Sequence, residues 1–439
     1  MKLFEHQVQS LEQTKDSNRV AYFLDMGLGK TFVGAEKMIR LGAEVNLLIC
    51  QKSKIQDWRN HFADYYKYDI SAYDLTNKKQ WSDFWENPCG FRYRVGIINY
   101  ELAWRRKDLL KLKDFTLMLD ESSLIQNDTA KQTKFILKLQ AKNVILLSGT
   151  PTAGKYENLW TQAKLLGWDI KKTLYNSQYI NWKRIDVFDP QTFGTRNVKV
   201  VDKKDPYKNI ERLKQKFRDH GAVFMKTEEV ISLPEQIFTE IRCPVSKEYN
   251  KFLKTQIVTV EGVELVGDTT LTERLYLRQL CGQYSEAKLQ AFRDLVSSTN
   301  DRVIVFYNFT AEVEKLIHIA NEFERPFSII NGAGKNLFAY EEYSDSITFV
   351  QYQAGSMGHN LQKANKIIYF TLPERSELFE QSKKRIHRIG QNQPCFYYVM
   401  MCDKSIEEDI YRTLKLRKDY TDELFRERRK NGTRKAARK

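Results

Sequence analysis

Long apolar runs are missing from this 439-residue sequence. None reaches the roughly 18 consecutive apolar residues that a membrane-spanning helix needs. The start, MKLFEHQVQS, has no hydrophobic segment of the secretory kind, so a cytoplasmic protein is expected. Cysteine is sparse and scattered. The six (Cys50, Cys89, Cys243, Cys281, Cys395, Cys402) form no C-x-x-C pair, which argues against a disulfide scaffold or a zinc ribbon. The six histidines (His6, His61, His220, His318, His359, His387) show no metal-ligand spacing. General disorder is excluded as well, because 42% of the residues are hydrophobic and 29% charged.

What is present in excess is positive charge, confined to two places. Lys and Arg total 71 against 56 Asp and Glu, a net +15. Residues 426–439 carry +7 and residues 164–226 carry +8, so the rest of the chain is neutral. Cations gathered in two segments point to a polyanionic partner.

The length suits about three domains or two large ones. Short apolar strands alternate with helical stretches in two regions, the pattern of parallel α/β units. The first region places strands at residues 20–24, 46–50, 95–98, 116–119 and 143–147. The second places them at 303–307, 346–351, 366–369 and 396–401. The expected division is a first lobe over 1–165, a basic and mostly helical insertion over 166–283, a second lobe over 284–412, and a basic tail over 413–439. Trp168, Tyr175, Tyr179 and Trp182 in the insertion are expected to pack rather than stack on bases. No internal repeat is visible.

Chemistry-bearing residues follow the strand ends. Leu24-Asp25-Met26-Gly27-Leu28-Gly29-Lys30-Thr31 joins a strand to a helix expected over residues 32–40, the setting of a phosphate-binding loop. Gly27, Leu28 and Gly29 let backbone N–H groups wrap phosphates at a helix N-terminus. Lys30 would neutralise the β- and γ-phosphates, and Thr31 would offer a hydroxyl to Mg²⁺. The first glycine of the full pattern is replaced by Leu24. A second stretch, Gly332-Ala333-Gly334-Lys335-Asn336, lacks the metal-binding hydroxyl and reads as a loop.

The strand at 116–119 ends in Asp120 and Glu121, 90 residues beyond the loop. Neighbouring side chains on a strand diverge, so Asp120 can hold Mg²⁺ while Glu121 orients and deprotonates water. Ser148-Gly149-Thr150-Pro151 follows the next strand, at the sheet edge where such folds bind ligands. Farther on, Gln381, Arg385 and Arg388 recur at i, i+4 and i+7, one face of an expected helix that Gly390 would end. Cations of this kind complete phosphoryl-transfer sites.

Together these motifs resemble the Snf branch of the superfamily-two helicases, ATP-driven motors on double-stranded DNA. The likeness rests on residues 25–31, on Asp120-Glu121, on Ser148-Gly149-Thr150-Pro151, and on Ala354-Gly355-Ser356-Met357-Gly358-His359-Asn360-Leu361. It rests also on Leu277-Arg278-Gln279-Leu280-Cys281 and on Arg385-Ile386-His387-Arg388-Ile389-Gly390-Gln391. It covers most of residues 1–415 and implies two RecA-like P-loop lobes with ATP in the cleft between them. By that resemblance Gln7 reads the adenine, Gly358 touches the nucleotide, and Arg385 and Arg388 act as arginine fingers. Ser148, Thr150 and Gln381 couple hydrolysis to lobe movement. Lys52, Ser53, Asn99, Tyr100, Asn308, Ser356 and Asn360 grip the DNA backbone.

The sequence departs from the branch at Ser122-Ser123, His359 and Leu372-Pro373-Glu374. The 331–345 segment is also short and lacks the usual arginine. These changes leave the ATPase set intact, and with no room for histone-reading modules a compact bacterial or phage-type monomeric motor is expected. Two other readings stand beside it: a motor of the same core acting on RNA or displacing a nucleic-acid-bound polymerase, and a non-catalytic nucleic-acid-binding scaffold.

Overall fold

Short, mostly apolar strands build the two main sheets. A computed structural model of the chain describes residues 2–86, 90–152, 154–189, 194–202, 204–355 and 360–425. The chain falls into two compact units, the first running to Val230 and the second from Ile231 to Lys418.

The first unit contains β1 (Arg19–Leu24), β2 (Val45–Cys50), β3 (Ile70–Asp74), β4 (Tyr93–Asn99), β5 (Thr116–Asp120) and β6 (Asn143–Leu147). Later come a hairpin of β7 (Trp182–Asp189) and β8 (Gly194–Val201), and then β9 (Ala222–Met225). The sheet order is β3-β4-β2-β5-β6-β1-β9, and all its pairings are parallel. Parallel strands covered on both faces read as continuous hydrophobic runs, which is why β1, β2 and β6 are legible as RVAYFL, VNLLIC and NVILL. Because the pairings are parallel, the carboxyl ends share one edge, the edge that binds ligands in open α/β sheets.

The second unit contains β10 (Gln236–Cys243), a hairpin of β11 (Ile257–Val260) and β12 (Val263–Val266), β13 (Val303–Tyr307), β14 (Phe327–Asn331), β15 (Gly334–Asn336), β16 (Ile347–Gln351), β17 (Lys366–Tyr369) and β18 (Cys395–Cys402). Its order is β10-β18-β17-β13-β16-β14-β15, parallel but for the antiparallel edge strand β15. Strand β13 shows the double burial directly. Ile304 and Phe306 join one core cluster, while Val303, Val305 and Tyr307 join the other. Each unit is therefore a parallel-dominated α/β layer of the expected class.

The stretch expected as a separate helical insertion, 166–283, is shared out instead. Helices Lys172–Tyr179 and Ile210–Asp219 and β9 belong to the first unit, whereas β10, helix Lys247–Thr255 and helix Thr270–Cys281 belong to the second. Strands were hidden there for physical reasons. β9 has only four residues, and the β7–β8 hairpin is largely exposed, so no apolar run marks it. Trp168 packs edge-on against Tyr175, Tyr179 and Phe217 beneath the first sheet, as core aromatics do.

The stretch 332–336 is the turn and second strand of the β14–β15 hairpin, with Asn331 Oδ1 accepting from the N–H groups of Ala333 and Gly334. The long final helix runs Ile406–Phe425; the basic tail from 426 onward lies outside the described residues. Among the described residues, no helix is long and apolar enough to cross a membrane.

Candidate nucleotide and nucleic-acid site

The loop after β1 turns through left-handed conformations at Gly27 (φ 92°) and Gly29 (φ 74°), then opens helix Lys30–Leu41. Only glycine adopts these angles without a Cβ penalty. Lys30 Nζ lies over the loop and donates to the carbonyls of Leu24 (2.9 Å) and Asp25 (3.2 Å). Asp25 braces the loop from outside. Its carboxylate accepts from Met26 N at 2.9 Å and from the hydroxyl of Thr227, just past β9, at 2.9 Å.

Gln7 sits against the same loop from helix Glu5–Gln13. Its side chain donates to Leu28 O at 3.2 Å and accepts from Phe4 N at 3.0 Å, and a methyl group on Gly29 would come within 2.2 Å of its Nε2. The residue expected to read a base is thus fixed to the residues expected to wrap phosphates.

Strands β5 and β6 bring the next two motifs alongside, with Asp120 in register with Leu147. Asp120 Oδ2 accepts from the indole N–H of Trp58 at 2.8 Å. Glu121 takes a left-handed backbone (φ 56°, ψ 58°), a costly choice for a residue with a side chain. That turn swings its carboxylate back to the sheet edge, where Oε1 accepts from Ser148 Oγ at 2.8 Å and from Ser123 Oγ at 2.9 Å. Ser148 in turn accepts from Thr150 N at 3.1 Å. A methyl group on Gly149 would lie 3.2 Å from Lys30 Nζ. The loop, the acidic pair and the Ser-Gly-Thr turn therefore converge within the first unit. The donors of Thr31 and Asp120 are both oxygens, the set that suits a hard cation such as Mg²⁺.

Residues expected at the polymer divide into two groups. Lys52 and Ser53 are exposed on a short 3₁₀ turn, Lys52–Lys54, at the carboxyl end of β2. Tyr100 is 1% exposed and spends its hydroxyl on the carbonyl of Asp120 at 2.9 Å. Its side chain therefore supports the acidic strand end and is not presented to a polymer. Asn99 is also buried and donates to Glu101 at 2.6 Å.

In the second unit, Asn308 follows β13 and donates through Nδ2 to Thr371 Oγ1 (2.9 Å) and Leu372 O (3.1 Å). Gln381 is buried on helix Ser376–Lys383 and donates to Glu377 at 3.5 Å. That helix stops at Lys383, so Gln381, Arg385 and Arg388 do not share a helical face. Tertiary bonds override helical continuation. Arg385 O accepts from Leu361 N at 3.1 Å, Ile386 drops into the core, and His387 Nε2 pairs with Pro234 O at 2.9 Å. Gly390 (φ 95°) sits in the turn that ends this irregular stretch.

Arg385 is 3% exposed, and burial, reinforced by Arg388, pulls its guanidinium down to about 10. Arg388 Nη1 donates to Asn360 Oδ1. Ser356, Gly358 and His359 lie outside the described residues.

Sequence reasoning missed Trp58, Thr227 and Glu312, each of which holds a motif residue through its side chain. Glu312 Oε2 accepts from Asn308 N (2.9 Å), Phe309 N (3.1 Å) and Thr371 Oγ1 (2.9 Å). A single Trp, Thr or Glu in a helix carries no local signal of such a role.

Comparison with known proteins bears on the same residues. The family profile for the SNF2-related domain matches residues 14–286, and that for the helicase conserved C-terminal domain matches 287–390. The chain is similar to the yeast (Saccharomyces cerevisiae) ISWI chromatin-remodeling complex ATPase ISW1, at 23% identity over 92% of this chain and 38% of that protein. An uncharacterized ATP-dependent helicase of Mycoplasma genitalium is 21% identical over 88% of this chain and 38% of its own length. The chain thus spans about two fifths of the length of these relatives. A solved SWI2/SNF2 ATPase core from Sulfolobus solfataricus in complex with double-stranded DNA aligns over 96% of this chain and 92% of that one, at 17% identity and TM-score 0.45.

Proposed function

The chain belongs to the SNF2-related family of helicase-like ATPases, and from that premise we propose that it hydrolyses ATP to move along double-stranded DNA. The observation that carries the reading is the convergence of Lys30, Gly149, Asp120 and the Glu121–Ser148 hydrogen bond at one edge of the first sheet. Nucleotide phosphates are wrapped by the N–H groups of residues 27–29 and met by Lys30. Gln7 reads the adenine. Mg²⁺ held by Thr31 and the second oxygen of Asp120 would offset charge on the β- and γ-phosphates.

Glu121 takes the proton of the attacking water, and Ser148 fixes the direction in which its carboxylate points. Arg385, Arg388 and Gly358 keep the nucleotide-directed roles that the family resemblance implies for them. The depressed proton affinity of Arg385 reflects a cation stripped of water, which raises its electrostatic worth to a phosphate.

Lys52, Ser53, Ser356 and Asn360 contact the phosphate backbone, which holds position without reading sequence. Asn308, whose donors are spent on Thr371, Leu372 and Glu312, supports its own strand end instead. Ser148, Thr150 and Gln381 pass the state of the nucleotide to that grip. The basic segments add affinity that salt weakens.

A triplex-displacement assay tests the translocation. Wild-type protein with ATP strips the third strand from a duplex, and K30A does not. ATP hydrolysis without displacement by the wild type would refute movement along the duplex.

A further inference from the structure

One helix touches Asp120, assigned to the metal, and Phe32, the neighbour in sequence of the other assigned residue, Thr31. Helix Ile55–Tyr65 begins directly after the exposed turn Lys52–Lys54 and spans 11 residues, roughly 16 Å at 1.5 Å per residue. Trp58, His61 and Tyr65 recur at i, i+3 and i+7, so they share a face. Trp58 is 2% exposed, and its indole N–H bonds Asp120 Oδ2 at 2.8 Å. One and two turns later, His61 and Tyr65 pack edge-on against Phe32, with ring centroids 4.7 and 5.1 Å apart. Phe32 is the residue after Thr31. Burial holds His61 low, at about 4, so the ring stays an uncharged packing group at neutral pH. Ile55 and Phe62 are buried too, so the helix packs on the lobe along its length.

We propose that this helix is the transmission element within the first lobe: polynucleotide bound at Lys52 and Ser53 shifts it, and Trp58 and the His61–Tyr65 pair carry that shift to Asp120 and Thr31. Trp58 is a positioning residue, acting through the carboxylate it holds. The inference rests on the DNA-motor reading above and deepens it, because it says how a phosphate grip on the polymer tunes the hydrolytic site. A carboxylate held by one indole changes its position when that indole shifts, and this is the property that coupling through Trp58 uses.

The test uses the full chain and W58F, which keeps the aromatic volume and removes the N–H. ATPase rates are measured with and without saturating duplex DNA, over a titration of Mg²⁺. Loss of one hydrogen bond to a carboxylate predicts that the ratio of DNA-stimulated to unstimulated kcat falls about tenfold. The duplex concentration giving half-stimulation stays the same, and half-saturating Mg²⁺ rises. F32L, which thins the second contact and leaves the indole bond, lowers the same ratio by a smaller factor and serves if W58F unfolds.

A merely structural role lowers both rates together and leaves the ratio intact; that result, or no change at all, overturns the inference while leaving the motor reading standing. A wild type that duplex DNA does not stimulate overturns the motor reading, and this inference with it.

Discussion

Replacing Ser148 by alanine isolates one bond at the centre of the site. The hydroxyl is fully buried, donates to Glu121 Oε1 at 2.8 Å and accepts from Thr150 N at 3.1 Å. S148A deletes both contacts and strands a buried N–H, which by itself costs about 1–3 kcal/mol. The lost bond to a carboxylate adds about 1.5 kcal/mol, so a stability loss of about 3 kcal/mol is expected in urea denaturation.

The effect on turnover is separable from that loss. Glu121 keeps its bond to Ser123 at 2.9 Å, so it is loosened rather than released. Loosening worth about 1.4–2.8 kcal/mol at the transition state lowers kcat about ten- to a hundredfold. Lys30 remains held by Leu24 and Asp25, so KM for ATP changes little. The assay is steady-state ATP hydrolysis at saturating duplex, below the denaturation midpoint. A KM that rises tenfold with kcat unchanged would refute the assignment, because it would make Ser148 a ground-state binding residue.

Other expectations follow from the same geometry. G29A places a Cβ on a backbone with φ 74° and drives it onto Gln7 Nε2, so ATP binding, read by fluorescent-nucleotide titration, weakens about tenfold or more and discrimination against GTP falls.

Burial lifts the fully enclosed Glu312 carboxyl to about 7. Above its unfolded value near 4.5 the native state holds the proton that the unfolded chain gives up, so stability falls as pH rises from about 4.5 to 7. The loss is about 3 kcal/mol, and E312Q flattens it in thermal melts recorded from pH 5 to 8.

Lys288 donates to both oxygens of Glu407 at 2.7 and 2.6 Å, with side-chain exposures of 0% and 3%. K288M leaves Glu407 buried and unpaired and destabilises the protein by about 3–5 kcal/mol, whereas K288M/E407L recovers much of that loss in urea denaturation. The ammonium also accounts for the charge beside Cys281 and Cys402, which together with Glu407 form the one cluster of potential metal ligands among the described residues.

Much of this architecture was legible because buried parallel strands leave long apolar runs. The observed β6 and β13 coincide with the expected 143–147 and 303–307, and helix Lys30–Leu41 begins where the loop motif ends. Residues 25–31, Asp120-Glu121 and Ser148–Pro151 were legible for a related reason, since each sits at the carboxyl end of such a strand. What stayed hidden is what long-range contacts decide. β9 is four apolar residues after a basic helix, and only its neighbour β1 makes it a strand. The stretch after Lys383 has helical spacing, yet Leu361 and Pro234 claim its polar groups, and Arg385 ends up in a turn. Tyr100 reads as a polymer contact until the fold turns its hydroxyl toward Asp120. Trp58 gives no sign of its partner, which lies 62 residues away.

The central claim is that this chain converts ATP hydrolysis into work on duplex DNA, and the rate of ATP hydrolysis with and without polynucleotide tests it most directly. The account predicts a low rate for the protein alone and a large rise with double-stranded DNA, greater than with single strands or RNA. Stimulation by RNA alone, or no hydrolysis with any polynucleotide, would contradict it.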